Sequence, residues 1–422
     1  MEENSRTKRA SKRWELVMSN FTDDLWTEIF LRLPLESLLR FKSVSKTWLS
    51  IISSHRFALS HLAIAPKDDQ ILIVHHDSLQ PEVGDDGSFS LYHLDSSDIT
   101  EDLNFPYSQG EYPFEYPNCP CEPESLLIGS ECGIVCVLVS VSKWPAAKNK
   151  EDLYLWNPAT KQSKLIPPYT IPNDTMFGVA LGFGFDHIDL DFKVVRVVSG
   201  PLFAEVYSSN RNDWRKIKHG LINISGHIVF NVCFHGFLLA TGYYSGIKGM
   251  IAFDLNKEVF ICDIKLPVGP FDDVENSSGI HIAQYKDTIA FIFYDSNGDN
   301  NVIKLWTLDN EACLSGCGVE ALWTKVLSLD LDVPFLFVEG LFNNIQFLLH
   351  GVDGDRLLYN SKNKLTTEVP RYFNVAPHEV LKYTKSLFSL TGFKRIKWAA
   401  SSSRSQESSE WELGMDNESI SD

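Results

Sequence analysis

Six times along this chain an aromatic residue leads into a short polar turn and an apolar strand leaves it. The aromatics are Tyr92, Trp156, Tyr207, Phe253, Trp306 and Tyr359, and subtracting their numbers gives separations of 64, 51, 46, 53 and 53 residues. The hairpins they open are SLYHLDSSDITEDLNFP, LYLWNPATKQSKLIPP, AEVYSSNRNDWRKI, MIAFDLNKEVFICDIKLP, IKLWTLDNEACLSGCGVEALWTKV and RLLYNSKNKLTTEVP. Short runs rich in Val, Ile, Phe and Tyr, bounded by Gly, Asn, Asp and Pro, read as strands and turns. A strand-forming run precedes each hairpin: ILIVHH, GIVCVLV, ALGFGFD with FKVVRVV, VFNVCFHGFLLAT, IHIAQYKDTIAFIFY and VEGLFNNIQFLLHG. Each unit therefore predicts a four-stranded sheet. Sheets repeated in this way bury one another's faces around an axis and keep their edges short. The expectation is a ring of about six blades over residues 69–370, closed by the segment EVLKYTKSLFSL (379–390) lending a strand to the first unit. A β-sandwich or an irregular β-domain is the competing reading, and the long period favours the ring.

A different pattern precedes the ring. In residues 21–61, Leu25, Trp26, Ile29, Phe30 and Leu33 recur at three- and four-residue spacing, which gathers them on one helical face. Thr22 is placed as an N-cap, with Asp23 and Asp24 in the positive first turn. Pro34 ends this helix by pushing its predecessor out of the helical region. A second helix carries Leu35, Leu38 and Phe41. A third, starting near Ser43 or Val44, carries Val44, Trp48, Leu49 and Ile52. A unit of this size cannot bury so much apolar surface internally, and an exposed apolar patch marks a protein interface.

The spacing of Ile29, Leu33-Pro34, Leu38, Phe41, Val44, Lys46, Trp48, Ile52 and Phe57 resembles the F-box, with one departure. The family usually opens on leucine-proline, and this chain has Phe21-Thr22 there. The resemblance implies docking onto the SKP adaptor and, through it, onto the cullin and RING subunits of an SCF-type ubiquitin ligase. Leu25, Ile29, Leu33, Pro34, Leu38, Val44, Trp48 and Ile52 are the candidate adaptor contacts, with Trp48 also a candidate for the head's own core. The competing reading is a helical unit that packs only on its own chain.

The body resembles the F-box-associated domain of plant F-box proteins, a kelch-like propeller. The residues that carry this are Leu155-Trp156-Asn157-Pro158-Ala159-Thr160, Gly182-Phe183-Gly184-Phe185-Asp186, Phe192-Lys193-Val194-Val195-Arg196, Val206-Tyr207, Asp213-Trp214-Arg215 and Phe253-Asp254-Leu255. The proline and glycines there read as turn chemistry, Pro fixing φ and Gly permitting positive φ. Cys119-Pro120-Cys121 ahead of Leu127-Ile128-Gly129, and the segment Val375 to Leu390, resemble the S-locus F-box branch. That branch implies an S-ribonuclease target in pollen self-incompatibility. KWPAAKNKED (143–152) reads as an insertion in the second unit.

The fold class expected is thus an α+β multidomain chain. A small all-α three-helix F-box (21–62) precedes a large all-β, propeller-like, kelch-like domain of about six blades (63–395). A basic N-terminal segment (1–20) and an acidic, Ser-rich tail (396–422) are expected to be disordered. Serines beside acids in the tail are candidates for phosphorylation, and Trp411 and Leu413 are its only hint of a docking motif.

Composition narrows the function. With 44% hydrophobic and 22% charged residues the chain is that of an ordinary globular protein. A net charge of −17 argues against nucleic acid and against anionic membrane surfaces, and favours a basic protein partner. No run of eighteen or more apolar residues appears. MEENSRTKRASKRWELVMSN lacks the apolar core of a signal peptide. A cytoplasmic location is expected, with Arg6, Lys8, Arg9, Lys12 and Arg13 a candidate nuclear localisation patch. The 8 cysteines are then expected as thiols, and the spacing of Cys119, Cys121, Cys132 and Cys136 is unlike that of zinc sites.

Nothing forms a catalytic constellation or a cofactor site. The Gly316–Ala321 match to a dinucleotide fingerprint falls in a hairpin loop. His187 and Asp189 read as a hairpin tip. A glycosidase would need paired carboxylates, and a sialidase an arginine cluster. Arg196, Arg211 and Arg215 are the arginines near enough in sequence to consider. The reading is a non-catalytic receptor for an unidentified target protein. The alternatives are an F-box scaffold outside a ligase and a carbohydrate- or small-molecule-binding propeller. Candidate target-binding loops are 81–90, 107–123, 143–152 and 269–279, because binding residues favour loops on a rigid scaffold.

Overall fold

A computed structural model of the chain describes residues 22–64, 70–75, 88–93, 99–103, 124–143, 147–171, 179–198, 203–218, 222–223, 228–230, 232–244, 247–267, 278–297, 300–316, 318–369 and 380–395. The basic N-terminal segment and the acidic tail lie outside these residues, as do Cys119, Cys121, His76 and Cys317.

The head holds four helices where three were expected: α1 (Asp23–Phe30), α2 (Leu35–Phe41), α3 (Lys46–Ile52) and α4 (His55–Ile64). Thr22 caps α1 as predicted, its hydroxyl accepting from the Leu25 N–H. The third helix starts later than expected. Extended Ser45 is its N-cap, with its hydroxyl accepting from the Trp48 N–H at 3.1 Å, which leaves Val44 in the preceding turn. The fourth helix is capped by Ser54, whose hydroxyl accepts from the Phe57 N–H at 3.2 Å. It buries Phe57, Ala58 and His61. One of its three buried positions is a histidine, so hydrophobic periodicity gives it no clear signature.

Behind the head, the described strands form six sheets. The first joins β1 (Gln70–His75), β2 (Ser88–His93) and β3 (Ile99–Leu103) to β26 (Val380–Tyr383), which pairs antiparallel with β1. The segment 379–390 thus closes the ring as expected. The second holds β4 (Glu124–Glu131), β5 (Ile134–Lys143), β6 (Ala147–Asn157) and β7 (Gln162–Leu165), with β27 (Lys394–Arg395) on its outer edge. The third holds β8 (Val179–Asp186), β9 (Asp191–Val198), β10 (Phe203–Ser208) and β11 (Asp213–Lys218).

In the fourth sheet, β12 (Ile222–Asn223) and β14 (Val232–Phe234) share the inner edge of β15 (Phe237–Tyr244), followed by β16 (Ile247–Asp254) and β17 (Val259–Ile264). Between those two inner pieces, β13 (Ile228–Val229) crosses to pair parallel with β8 and ties the third blade to the fourth. The fifth holds β18 (Ser278–Tyr285), β19 (Thr288–Asn297), β20 (Asn300–Leu308) and β21 (Trp323–Asp330). The sixth holds β22 (Phe335–Phe342), β23 (Gln346–Gly351), β24 (Arg356–Asn360) and β25 (Thr366–Val369).

Inner strands meet in succession: β26 with β4, β4 with β8, β8 with β14, β14 with β18, β18 with β22, and β22 with β26. The chain is a closed propeller. All six leading aromatics fall on the third strand of their blades, in β2, β6, β10, β16, β20 and β24. Apolar clusters fill the spaces between blades. Phe89, Leu91 and Leu103 of the first pack with Leu127, Val137 and Trp156 of the second. Phe335, Val338 and Phe347 of the sixth pack with Ile292 and Leu305 of the fifth. A blade is covered on both faces, so β9 is buried at every position, including Lys193 and Arg196.

Turn chemistry departs from expectation in an informative way. In four blades the third-to-fourth turn opens on Asn157, Ser208, Asp254 or Asn360. The side chain of each accepts a backbone N–H from Thr160, Arg211, Lys257 or Lys362, at 3.2, 3.2, 2.9 and 3.0 Å. The positive φ that completes each turn sits on Lys161, Asn212, Glu258 or Lys364, at 54°, 56°, 55° and 59°, and not on glycine. Gly182 and Gly184 answer a different need. A Cβ on Gly182 would lie 2.8 Å from Phe230 Cβ, and one on Gly184 2.7 Å from Leu255 Cδ1. Cys132 forms with Gly133 the two-residue turn between β4 and β5. Residues 147–152, read as an insertion, belong to β6, paired with β5 from Lys143↔Ala147 onward.

Candidate functional site

The head is organised around Trp48. Its ring lies 4.8 Å from Trp26, 5.0 Å from Phe30 and 5.2 Å from Phe41, centroid to centroid, which pins α1, α2 and α3 together. Phe30, Leu35, Leu38, Ile52 and Phe57 are buried around it. The His61 Nε2 donates to the Leu33 carbonyl at 2.9 Å, so the turn after α1 is held by α4. The eight candidate adaptor contacts divide accordingly. Leu38 and Ile52 are fully buried and serve the head's own core. Leu33 and Trp48 are half-buried, while Pro34 is exposed. Leu25, Ile29 and Val44 turn outward, 47%, 38% and 57% exposed.

Leu49, at 44% exposed, joins these outward residues and is absent from the sequence-based set. Its signal was available: it follows the inward Trp48, and successive residues on a helix point about 100° apart.

The head sits on a strap of chain, residues 384–393, that crosses one end of the ring. Asn157 Nδ2 donates to the carbonyls of Ser386 and Phe388 at 3.1 and 2.8 Å. Gly133 passes against Ser386 too closely for any side chain. Phe388 packs edge-on to Phe185 and Phe192, with centroids 5.7 and 5.5 Å away. On its other side the His55 ring lies 5.6 Å from Phe388, and His55 Nε2 donates to the Ser389 carbonyl at 3.3 Å. Asn157 opens a third-to-fourth turn and Gly133 a first-to-second turn. Those turns share one end of an up-and-down blade, and the second-to-third and fourth-to-first connections share the other.

This topology sorts the candidate loops. Residues 81–90 and 143–152 fall between second and third strands, and 107–123 and 269–279 between fourth and first. All four depart from the end opposite the head. Within them, 88–90, 143, 147–152 and 278–279 are strand, and the remainder lies outside the described residues.

The arginines weighed for a sialidase-like cluster are committed to carboxylates. Arg196 and Glu205 are cross-strand partners with Nη1–Oε2 at 3.0 Å, both side chains fully buried, and the guanidinium lies 4.1 Å over the Tyr169 ring. Glu205 also accepts from the backbone N–H groups of Thr170 and Ile171 at 3.0 and 2.8 Å. Arg211 and Arg215 pair with Glu258, which also meets buried Lys193 at 3.3 Å. Lys193 in turn holds Asp186 at 3.0 Å. The pairs made by Glu258 lock the third blade to the fourth.

His187 and Asp189 lie on the β8–β9 turn, the imidazole edge-on to Phe185 at 4.9 Å. Among the described residues no group of three or more His, Cys, Asp or Glu could hold a metal ion. Cys132, Cys136, Cys233 and Cys313 are free thiols whose titration burial pushes up, which favours the protonated form. The Gly316–Ala321 stretch lies between β20 and β21, outside any strand-to-helix crossover. Among the described residues no helix is long and apolar enough to cross a membrane.

A four-helix head strapped to a closed ring of repeated sheets defines a two-part architecture. Residues 18–60 match the F-box domain family, and residues 97–314 match the F-box associated beta propeller domain family. The second match spans more than half of the chain, and the chain belongs to that family. Similar proteins from Arabidopsis thaliana carry the F-box in their names, and one of them the kelch repeat as well. F-box protein CPR1 is 29% identical over 48% of this chain and 46% of its own length. The putative F-box/kelch-repeat protein At1g12870 is 24% identical over 73% of this chain and 71% of its own. F-box protein At3g26010 is 26% identical over 69% of this chain and 66% of its own. The chain thus spans about half the length of the first and about two thirds or more of the others.

Proposed function

We propose that this chain is the substrate-recognition subunit of an SCF-type ubiquitin ligase, with the head holding an SKP-family adaptor and the ring holding a target protein. The observation that carries the reading is the outward set Leu25, Ile29, Val44 and Leu49 on a head otherwise filled by its own core. Apolar side chains in such a group call for a partner. The target-binding loops are assigned to the far end of the ring, so one rigid body separates adaptor from target.

The receptor performs no chemistry itself. It raises the effective concentration of a target lysine beside the charged conjugating enzyme that the cullin and RING subunits bring. Buried Leu38 and Ile52 support the head, and the contact falls to Leu25, Ile29, Pro34, Val44 and Leu49. The net charge of −17 supports a basic target through long-range steering. A basic ribonuclease of the S-locus type fits that requirement. A cytoplasmic or nuclear location follows from the ligase reading.

Co-purification tests the adaptor half. The wild-type chain should retain an SKP adaptor and its cullin. Leu25→Glu with Ile29→Glu should weaken retention at least ~30-fold, the scale of a hot-spot loss of about 2 kcal/mol. Both positions are exposed, so the far-UV spectrum should not change. A folded wild-type chain that fails to hold the adaptor defeats the proposal.

A further inference from the structure

A cavity of about 340 Å³ opens at the seam between the head and the first two blades. Its floor is apolar, made by Leu35 and Leu39 of α2 with Leu91 and Leu103 of the first blade. Among the described residues its lining carries three bases, Arg40, Lys161 and Lys385, and one acid, Glu36. On a chain of net charge −17 such a lining selects an anionic occupant. The volume is at the lower end of the range for ligand sites.

The chain itself leads an occupant to this place. β27 runs antiparallel to β7 with Lys394 opposite Ser163 and Arg395 opposite Gln162. At Arg395, its last described residue, β27 has reached Gln162, next to Lys161 and the Pro158–Ala159 turn that form the cavity's lip. Residues 401–422 carry six acids, Glu407, Glu410, Glu412, Asp416, Glu418 and Asp422, against one base, Arg404. Within them Glu410-Trp411-Glu412-Leu413 alternates charge with large apolar side chains. The sixteen residues from Arg395 to Trp411 reach up to ~50 Å when extended, ample for the distance.

We propose that residues 410–413 of the chain's own acidic tail dock in this cavity. Trp411 and Leu413 cover the leucine floor, and Glu410 and Glu412 face Arg40, Lys161 and Lys385. The tail then bridges α2 to the first and second blades and clamps the head in its seat. The inference stands apart from the adaptor reading, because Leu25, Ile29 and Val44 do not line the cavity.

Zero-length carbodiimide cross-linking of the full chain, followed by peptide mapping, tests it. The expected products join Glu410 or Glu412 to Lys161 or Lys385 within one molecule. Their yield should fall about tenfold in 0.5 M salt, where charge pairs are screened. It should fall as far in Trp411→Ala with Leu413→Ala and in Arg40→Glu, with far-UV spectra unchanged. Mixing isotopically heavy and light protein separates links within a molecule from links between molecules. Tail links spread over lysines elsewhere on the ring would overturn the proposal. So would links formed only between molecules, or a yield indifferent to the tail variants.

Discussion

One methyl group added at Gly184 would stand 2.7 Å from Leu255 Cδ1 and 2.8 Å from Cys233 Sγ. At that distance packed neighbours must move, and overpacking of this kind costs about 1–3 kcal/mol. Gly184→Ala should therefore lower the urea midpoint by that amount with an unchanged slope. An unshifted midpoint would mean that the seam between the third and fourth blades is looser than its contacts imply. The motif Gly182-Phe183-Gly184-Phe185-Asp186 was legible as a landmark in the sequence, but not its reason. The reason is Phe230, Cys233 and Leu255, which approach β8 from the neighbouring blade. Arg196 teaches the same lesson. Its partner Glu205 lies nine residues on, opposite it across the β9–β10 ladder, and only strand register brings the two together.

At the scale of elements, the strap at 384–393 joins three parts of the molecule. It continues from β26, which closes the ring, crosses the turns of the second blade, and meets α4 through Ser389 and Phe388. Asn157→Ala would orphan two carbonyls and remove two hydrogen bonds, costing about 1–3 kcal/mol. Phe388→Ala would open a cavity between Phe185, Phe192 and His55, costing about 3–5 kcal/mol. Hydrogen exchange should quicken in α4 and along 384–393 in both variants, while β19 and β20 of the fifth blade keep their protection. Uniform loss of protection over all blades would count against a local strap. The run EVLKYTKSLFSL revealed the closing strand through its alternation. Its second half carries no periodic signal, since its role is set by Asn157 and Phe388, far apart in sequence.

For the whole molecule, buried carboxylates set the response to acid. Burial pushes the Glu339 carboxyl up, but the hydrogen bond with His350 at 3.0 Å and the Arg356 guanidinium at 2.8 Å outweigh it and hold it below its usual 4.5. Burial likewise pushes Asp186 up, while bonds from Lys193, Asn256 and the N–H groups of Ile188 and Asp189 hold it below 3.8. Both folded values are depressed relative to the unfolded chain. Their stabilisation is present above the unfolded values and is lost as pH falls through the folded ones. The contribution of these two carboxylates should thus hold near neutrality and decline below about pH 4.5, whereas Glu131, which burial raises to about 8, contributes stability that is lost as pH rises through that value. Glu339→Gln should cost about 1–3 kcal/mol at pH 7 and progressively less as the pH falls. A gap between variant and wild type that stays constant with pH would show that Glu339 is not one of the titrating groups.

The two-part plan was legible in local patterns. Hairpins at a period near fifty and a cluster of amphipathic helices are local signals, because helix and strand periodicity is written in neighbouring residues. The closing strand was legible for the same reason. Local patterns did not determine the fourth helix, which buries His61 beside Phe57 and Ala58, nor which head residues face out. Leu25 and Leu38 carry the same side chain, and only packing around Trp48 buries one and leaves the other exposed. Tertiary packing decides where the head sits, which arginines are committed to carboxylates, and that β27 ends at Arg395 near an apolar seam lined by Arg40, Lys161 and Lys385. Those outcomes depend on strand register and on contacts between separate elements, and no local pattern encodes them.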